Sequence, residues 1–277
     1  TSLENKGRFR VNFFNQINGF SAVFRTIPSL IKNNEELGIP PILNKLALKD
    51  RGLILLTGPT GSGKSSTLAA MIDHINENKS KHIITIEDPV EYYHQSKTCL
   101  INQRELGQST HSFSNALRSA LREDPDVILV GEMRDLETIG LALTAAETGH
   151  LVFGTLHTTG SARTMNRIID AFPANQQEQI RAQLSVSLIA VVSQVLLPRK
   201  GGKGRVAAFE VMLMTSAVGN LVRKNETNKI QSTIQTSRRM GMVTLDDYLL
   251  DLVREDAISP KVALDAAQDR ADMESRL

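Results

Sequence analysis

Eight consecutive residues of this sequence have the types and the spacing needed to hold a phosphate group. Residues 58–65 read Gly-Pro-Thr-Gly-Ser-Gly-Lys-Ser and fit the pattern G-x-x-x-x-G-K-[ST]. The apolar run 53–57 before them predicts a buried strand, and residues 66–78 carry apolar side chains at helical spacing. A strand, a glycine-rich loop and a helix in this order direct backbone N–H groups and a helix N-terminus at one anion.

The chemistry predicted for this loop is the binding of a nucleoside triphosphate together with Mg²⁺. Lys64 is expected to reach the β- and γ-phosphate oxygens, and the Ser65 hydroxyl is expected to ligate the metal. An ordinary glycine-rich turn is the alternative, which the complete pattern between a strand and a helix disfavours. The predicted nucleotide-binding residues of this segment are Gly58, Pro59, Thr60, Gly61, Ser62, Gly63, Lys64, Ser65 and Ser66.

Phosphoryl transfer also requires an acidic group near the metal and a group that orients the attacking water. Ligands of open α/β sheets bind at the carboxyl ends of the strands. Three further apolar runs predict such strands: 82–87, 126–131 and 151–156. The first ends at Glu87 and Asp88, the second is followed by Glu132, and the third is followed by His157. We predict that these side chains converge beside the phosphate-binding loop.

Glu132 is the predicted group that polarises the attacking water, and a solvated ion pair with Arg134 is its alternative role. Gly131 occupies the position where an aspartate is usual, so part of the metal's surroundings must come from elsewhere. Glu87 and Asp88 are the nearest acidic residues and are predicted to supply it. A capping or turn role is the alternative for these two.

Two histidines lie at opposite ends of the predicted strand 151–156. His157, at the carboxyl end, is predicted to donate a hydrogen bond to the γ-phosphate, whereas His150 is assigned a packing or interface role. Arg118 and Arg122 lie one turn apart on a predicted helix. They either pair with neighbouring carboxylates or neutralise charge at a nucleotide, including one across a subunit boundary.

The composition excludes several classes of protein. The 277 residues are 41% hydrophobic and 22% charged, with a net charge of +2, which gives no broad attraction for nucleic acid. The only cysteine, Cys99, excludes an internal disulfide and makes a reducing compartment the default. No apolar run approaches the length of a transmembrane helix; the closest, 188–197, is interrupted by Ser193 and Gln194. The chain begins at Thr1, and we expect residues upstream of it.

The order of predicted elements indicates an α/β protein with a parallel sheet covered by helices on both faces. A β-hairpin is predicted to end at Pro28 and carries Arg10 and Arg25. These arginines could act at a nucleotide only if the hairpin reaches a neighbouring site. The predicted segments are a hairpin at 1–28, a linker at 29–42, a nucleotide-binding core at 43–200, and a second hairpin followed by helices at 201–277. Helix N-caps are predicted at Ser112, Thr215, Thr244 and Ser259.

Three motifs, taken with the loop, resemble those of one family. Residues 84–91 (ITIEDPVE) resemble its Asp box, residues 116–135 its Walker B region, and residues 148–158 (TGHLVFGTLHT) its His box. Together they are similar to the secretion ATPases, and within them to the PilT-like pilus retraction ATPases. The resemblance covers essentially the whole chain.

This resemblance implies a RecA-like P-loop core, preceded by the end of a PAS-like N-terminal domain and followed by a small helical region. It implies a homohexameric ring in the cytoplasm, peripheral at the inner membrane, that hydrolyses ATP with Mg²⁺ and retracts a type IV pilus in twitching motility. Its partners would be an inner-membrane platform protein and the pilin machinery. The implied catalytic residues are Lys64, Glu87, Glu132 and His157. Arg10 and Arg25 match arginines of the family that act at the nucleotide, and the linker would be a hinge.

Two further observations concern the branch of the family. Extension ATPases carry a four-cysteine metal site, which a chain with one cysteine cannot build. The retraction family has the segment AIRNLIRE, whereas residues 217–224 read AVGNLVRK, with Gly219 for an arginine and Lys224 for a glutamate. An accessory, PilU-like retraction ATPase is therefore an alternative. A nucleic-acid translocase and a ring subunit that does not hydrolyse ATP are less favoured alternatives.

Overall fold

The N-terminal part of the chain forms a small antiparallel sheet. The computed structural model describes residues 2–3, 7–27 and 30–277. The sheet contains β1 (Ser2–Leu3), β2 (Gly7–Gln16) and β3 (Gly19–Ile27). The predicted hairpin is confirmed, since β2 and β3 pair from Arg8 opposite Ile27 to Gln16 opposite Gly19. Its predicted end at Pro28 lies outside the described residues.

A seven-stranded sheet forms the centre of the protein. Its strands are β4 (Gly52–Thr57), β5 (His82–Glu87), β6 (Leu100–Glu105), β7 (Val127–Val130), β8 (Leu151–Leu156), β9 (Leu188–Pro198) and β10 (Arg205–Leu213). The spatial order is β10-β9-β4-β8-β7-β5-β6. Every neighbouring pair is parallel except β9 and β10. The predicted, mostly parallel sheet is confirmed, and β4, β8, β7 and β5 lie side by side as the site requires.

Helices cover the two faces of this sheet. They are α1 (Pro41–Ala47), α2 (Lys64–Asn78), α3 (Phe113–Ala120), α4 (Leu136–Glu147), α5 (Ser161–Ile169), α6 (Gln177–Ser187), α7 (Ser216–Arg223), α8 (Ile230–Thr236), α9 (Leu245–Arg254), α10 (Pro260–Ala266) and α11 (Arg270–Arg276). One buried apolar cluster lies between the sheet and α3 to α6, and another lies between the sheet and α1 and α2. A third joins the C-terminal helices to β9 and β10.

The predicted helix caps are all present. Ser112, Thr215, Thr244 and Ser259 each accept a hydrogen bond from the backbone N–H three residues later. Each side-chain oxygen thereby satisfies an amide that has no partner within its helix. These local hydrogen bonds explain why the sequence alone places the starts of these four helices.

Several elements were not predicted. β6 (LINQRE) is a polar strand at the sheet edge, and α5 and α6 follow the His157 loop without a strong apolar run. α1 begins inside the segment predicted as a linker, because Pro41 occupies the first turn of a helix, where its missing N–H costs nothing. The predicted boundary at residue 200 falls in the turn between two paired strands, β9 and β10.

None of the helices in the described residues is long and apolar enough to cross a membrane.

Candidate functional site

A cleft of about 310 Å³ lies at the carboxyl ends of β4, β5, β7 and β8. The phosphate-binding loop and the polar residues that follow the neighbouring strands meet there, as predicted. The predicted residues that line it are Arg10, Arg25, Thr60, Gly61, Lys64, Ser65, Glu87, Asp88, Glu132 and His157. The cleft also contains Glu91, Tyr92, His94, Arg134 and Thr155.

The loop has a backbone that only glycine tolerates well at three positions. Gly58, Gly61 and Gly63 have φ values of 135°, 80° and 92°. A Cβ atom on Gly58 would lie 2.2 Å from the Gln194 carbonyl oxygen, so the loop packs directly against β9. α2 begins at Lys64, two residues before its predicted start, which brings the helix N-terminus up to the loop itself.

Lys64 is buried and held within the loop. Its Nζ donates hydrogen bonds to the carbonyl oxygens of Gly58, at 2.8 Å, and Pro59, at 3.1 Å. Burial lowers the pKa of Lys64, and the nearby carboxylates of Glu132 and Glu91 partly oppose this effect. The Ser66 hydroxyl lies 2.8 Å from the Tyr92 hydroxyl, and its binding of nucleotide stays a prediction.

Glu132 is both in the cleft and paired with Arg134, so its two predicted roles coexist. Arg134 Nε and Nη2 each lie 2.5 Å from a Glu132 carboxylate oxygen, and His157 Nε2 lies 3.2 Å from the same carboxylate. The pKa of Glu132 is lowered, first by the hydrogen bond from Arg134 and then also by the charges of Arg134 and His157. Glu132 is therefore ionised at neutral pH, which suits a group that orients and polarises water.

The close packing of β7 against β5 favours glycine at position 131. A Cβ atom here would lie 3.0 Å from the Ile86 carbonyl oxygen and 3.1 Å from the Glu87 Cα atom. Both neighbours are backbone atoms of β5, which cannot move aside at low cost. This close approach disfavours any side chain at position 131, an aspartate included.

Glu87 lies in the cleft in a less polar environment than Glu132. Burial raises its pKa, against hydrogen bonds from Thr85 (2.7 Å) and Gln103 (3.4 Å) that lower it. Among the described residues, no group of three or more His, Cys, Asp or Glu side chains could hold a metal ion. The donors present are the Ser65 hydroxyl and the Glu87 and Asp88 carboxylates. This set fits Mg²⁺, which in nucleotide sites takes one or two protein oxygens, water and phosphate oxygens.

Three residues of the cleft were missed as functional candidates. The sequence suggests Arg134 only as the ion-pair partner of a Glu132 that has no catalytic role. Tyr92 and His94 belong to the irregular segment between β5 and β6, where no periodicity marks them. Burial lowers the pKa of His94 to about 4, so this imidazole is neutral. Tyr92 and His94 reach the cleft because this segment packs against α2.

The predicted arginines divide into two pairs. Arg10 and Arg25 sit opposite each other on β2 and β3 and line the cleft of their own chain, so the expectation that they can act only at a neighbouring site is wrong. Arg118 and Arg122 are not among the described residues that line the cleft. Arg118 instead pairs with Glu137 at 2.5 Å, and a contact with a nucleotide across a subunit boundary stays a prediction.

His150 lies at the other end of β8, as predicted. Its Nδ1 is 3.0 Å from the Ala145 carbonyl oxygen at the end of α4, which is a packing role. The cleft therefore involves one of the two histidines.

Comparison with known proteins agrees with this geometry. The family model described as "Type II/IV secretion system protein" matches residues 2–254. A twitching motility protein of Neisseria gonorrhoeae is 60% identical over 98% of this chain and 72% of its own length. The type IV pilus retraction ATPase PilT of Pseudomonas aeruginosa is 58% identical over 94% of this chain and 76% of its own length. The type IV pilus ATPase PilU of the same organism is 45% identical over 96% of this chain and 70% of its own length.

A solved structure extends the agreement to the fold. The crystal structure of the pilus retraction motor PilT with bound ADP superposes with a TM-score of 0.92 at 49% identity, over 99% of this chain and 78% of that one. The RecA-like core is thus that of an ATPase. With its higher identity to PilT than to PilU, the chain belongs to the type II/IV secretion ATPase family, in the branch of the pilus retraction ATPases.

Proposed function

We propose that this protein hydrolyses ATP in the cleft between the phosphate-binding loop and the Glu132–His157 pair, and uses the free energy to retract a type IV pilus. The observation that carries the proposal is the convergence of Lys64, Glu132 and His157 at the ends of adjacent strands. The similarity to PilT and to a twitching motility protein supports pilus retraction as the process that ATP hydrolysis drives. The higher identity to PilT than to PilU favours a retraction motor over its accessory relative.

In this proposal the loop binds the phosphates. Backbone N–H groups of the loop and the N-terminus of α2 face the anion, and Lys64 moves its ammonium from the loop carbonyls to the β- and γ-phosphate oxygens. Ser65, with Asp88 or Glu87, would hold Mg²⁺, which when bound draws charge from the phosphate oxygens. Thr60 and Gly61 contribute the wall of the phosphate site.

Glu132 orients the attacking water. Because its pKa is lowered from the ordinary glutamate value, its carboxylate is ionised near neutral pH and would accept a hydrogen bond from the water. The lowered pKa makes it a weak proton acceptor, so its contribution is orientation and polarisation rather than complete proton removal before attack. His157, whose Nε2 lies 3.2 Å from the Glu132 carboxylate, would donate a hydrogen bond to the γ-phosphate.

Arg10 and Arg25, which line the cleft, would add positive charge to it. Their strands belong to the N-terminal sheet, while the loop belongs to the central sheet, so ATP would draw the two sheets together. Release of the products would let them separate. This relative movement is the proposed source of the mechanical work.

We further propose that the protein works as a homohexameric ring at the cytoplasmic face of the inner membrane, with a pilus platform protein and the pilin machinery as its partners. The support is its membership of the retraction family. In such a ring Arg118 or Arg122 could reach the nucleotide of a neighbouring subunit. No nucleic acid is expected as a partner, since the net charge is only +2.

The test is the ATP turnover per chain, measured against protein concentration with the mass followed by light scattering. Turnover that rises as a hexamer forms is expected. Since Arg10 and Arg25 line the cleft of their own chain, a residual, arginine-dependent turnover is expected in the monomer. Equal turnover at all masses would refute the ring mechanism. If the complete gene failed to restore twitching to Pseudomonas aeruginosa lacking its retraction ATPase, the assigned work would be refuted, though not the ATPase itself.

A further inference from the structure

The longest apolar run of the sequence, 188–197, contains two polar residues that the function described above does not use. This run becomes β9, and Ser193 and Gln194 lie in it with side chains only 6% and 2% exposed. A buried hydroxyl or amide is costly unless it is hydrogen-bonded. Their partners therefore indicate what these residues do.

Gln194 contacts both ends of the phosphate-binding loop. β9 pairs with β4 so that Ser193 lies beside Thr57, which places Gln194 beside Gly58. The Gln194 carbonyl oxygen is the atom that a Cβ on Gly58 would strike at 2.2 Å. Its side-chain Nε2 would meet a Cβ on Gly63 at 2.9 Å.

The same amide also reaches the first turn of α2. The Thr67 hydroxyl donates a 2.8 Å hydrogen bond to Gln194 Oε1, and Thr67 is itself 2% exposed. Gln194 thus supports the loop where it begins and where it ends, and joins the helix that follows it. Lys64 lies between Gly63 and Thr67, so the direction in which its side chain points depends on these two contacts.

Ser193 makes the corresponding contact with the other loop of the site. Its hydroxyl accepts a 3.0 Å hydrogen bond from the Gly160 backbone N–H, three residues after His157. The next strand extends this contact: Glu210 on β10, paired with Ser193, accepts hydrogen bonds from the Ser161 N–H (2.7 Å) and hydroxyl (2.8 Å). The segment between His157 and α5 is therefore fixed to β9 and β10.

We propose that Ser193 and Gln194 are positioning residues that fix the phosphate-binding loop and the His157 loop relative to each other. Adjacent residues of a strand point to opposite faces of the sheet. One rigid strand therefore holds the loop through Gln194 on one face and the start of α5 through Ser193 on the other. Neither residue lines the cleft in the described part of the chain, so both act through the groups they support.

The first test concerns nucleotide affinity. Gln194→Met keeps the length of the side chain and removes the hydrogen bond, and Thr67→Val removes the same hydrogen bond from its other side. Each is expected to weaken binding of a fluorescent ATP analogue with Mg²⁺ about threefold to tenfold, the range that one lost hydrogen bond corresponds to. The double variant is expected to bind no more weakly than the weaker of the two, because both changes break one interaction.

The matched control is Thr227→Val. It removes a buried threonine hydrogen bond, to Asn166 Oδ1 at 2.9 Å, outside the nucleotide site. This variant is expected to lower the thermal midpoint without changing the affinity. An unchanged affinity in both Gln194→Met and Thr67→Val would overturn the proposal, and so would an equal loss in the control. If Gln194→Met does not fold, Thr67→Val alone decides.

The second test separates the two residues. Ser193→Ala is expected to lower kcat at least threefold and to leave the affinity for the ATP analogue unchanged, since it affects the His157 loop and not the phosphate-binding loop. A loss of affinity without a loss of kcat would overturn its assigned role. Binding is measured directly, so this result does not depend on whether the protein retracts a pilus.

Discussion

The pair between Arg134 and Glu132 makes a prediction that can be worked out from the structure. Arg134→Gln removes both 2.5 Å contacts to the carboxylate and leaves only the 3.2 Å contact with His157. The pKa of Glu132 then rises towards its ordinary value, because the largest cause of its depression is gone. The acid limb of the kcat profile should therefore move to higher pH, and kcat at neutral pH should fall about tenfold or more as the carboxylate loses its fixed orientation.

The effect on stability should be small. The Arg134 side chain is 67% exposed, and exposed pairs contribute about 0.2–1 kcal/mol. For a chain of this size that is about 2–4 °C or less in the thermal midpoint. Because the folded-state pKa of Glu132 is depressed, this contribution is present above its ordinary pKa and is lost as the pH falls through the depressed value.

The assay is steady-state ATP hydrolysis from about pH 3.5 to 8 with saturating ATP, together with thermal unfolding, because both acid limbs lie at or below the ordinary glutamate pKa of about 4.3. Arg104→Gln is the matched control, since it breaks another arginine–glutamate pair, to Glu123 at 2.6 Å, outside the cleft. It should leave the acid limb in place. An acid limb that does not move in Arg134→Gln, or a higher kcat, would refute the view that Arg134 holds Glu132 in its working orientation.

Three further predictions concern single residues of the site. Glu132→Gln should lower kcat at least a hundredfold while the ATP analogue still binds, and turnover equal to wild type would show that another group orients the water. Gly131→Ala should cost about 1–3 kcal/mol in unfolding free energy, since its Cβ would press on Ile86 and Glu87 backbone atoms; an unchanged thermal midpoint contradicts this. Because the pKa of His94 falls to about 4 in the folded chain, stability should decrease as the pH drops from about 6.5 to 4, and His94→Gln should lessen that dependence.

Much of the fold was predictable because its signals are local. Buried parallel strands are continuous apolar runs, and β5 and β8 begin and end at the predicted residues. Capping side chains mark the starts of α3, α7, α9 and α10, and these four predictions were correct. β6 was not predicted because it is a polar strand at the sheet edge. Only its pairing with β5 identifies it.

The arginines show where prediction from sequence ends. Arg10 and Arg25 were attributed to a neighbouring site because nothing in the sequence gives the direction in which a hairpin folds over a distant core. The spacing of Arg118 and Arg122 predicts one shared helix face, but α3 ends at Ala120, so Arg122 lies beyond the helix. Which surface Arg118 faces depends on how α3 packs. The pairing of Arg118 with Glu137 on α4 is likewise a tertiary contact.

The sequence by itself determined the phosphate-binding loop, the parallel sheet and the identity of the acidic strand ends, because each depends on residues close together in the chain. The tertiary structure alone decided that Glu132 pairs with both Arg134 and His157. It also decided that Tyr92 and His94 line the cleft, and that Ser193 and Gln194 support two of its loops. In the sequence, those two residues only interrupt an apolar run. Their contacts exist because β9 inserts beside β4, and such a neighbour relation is set by packing of the whole sheet and leaves no local pattern.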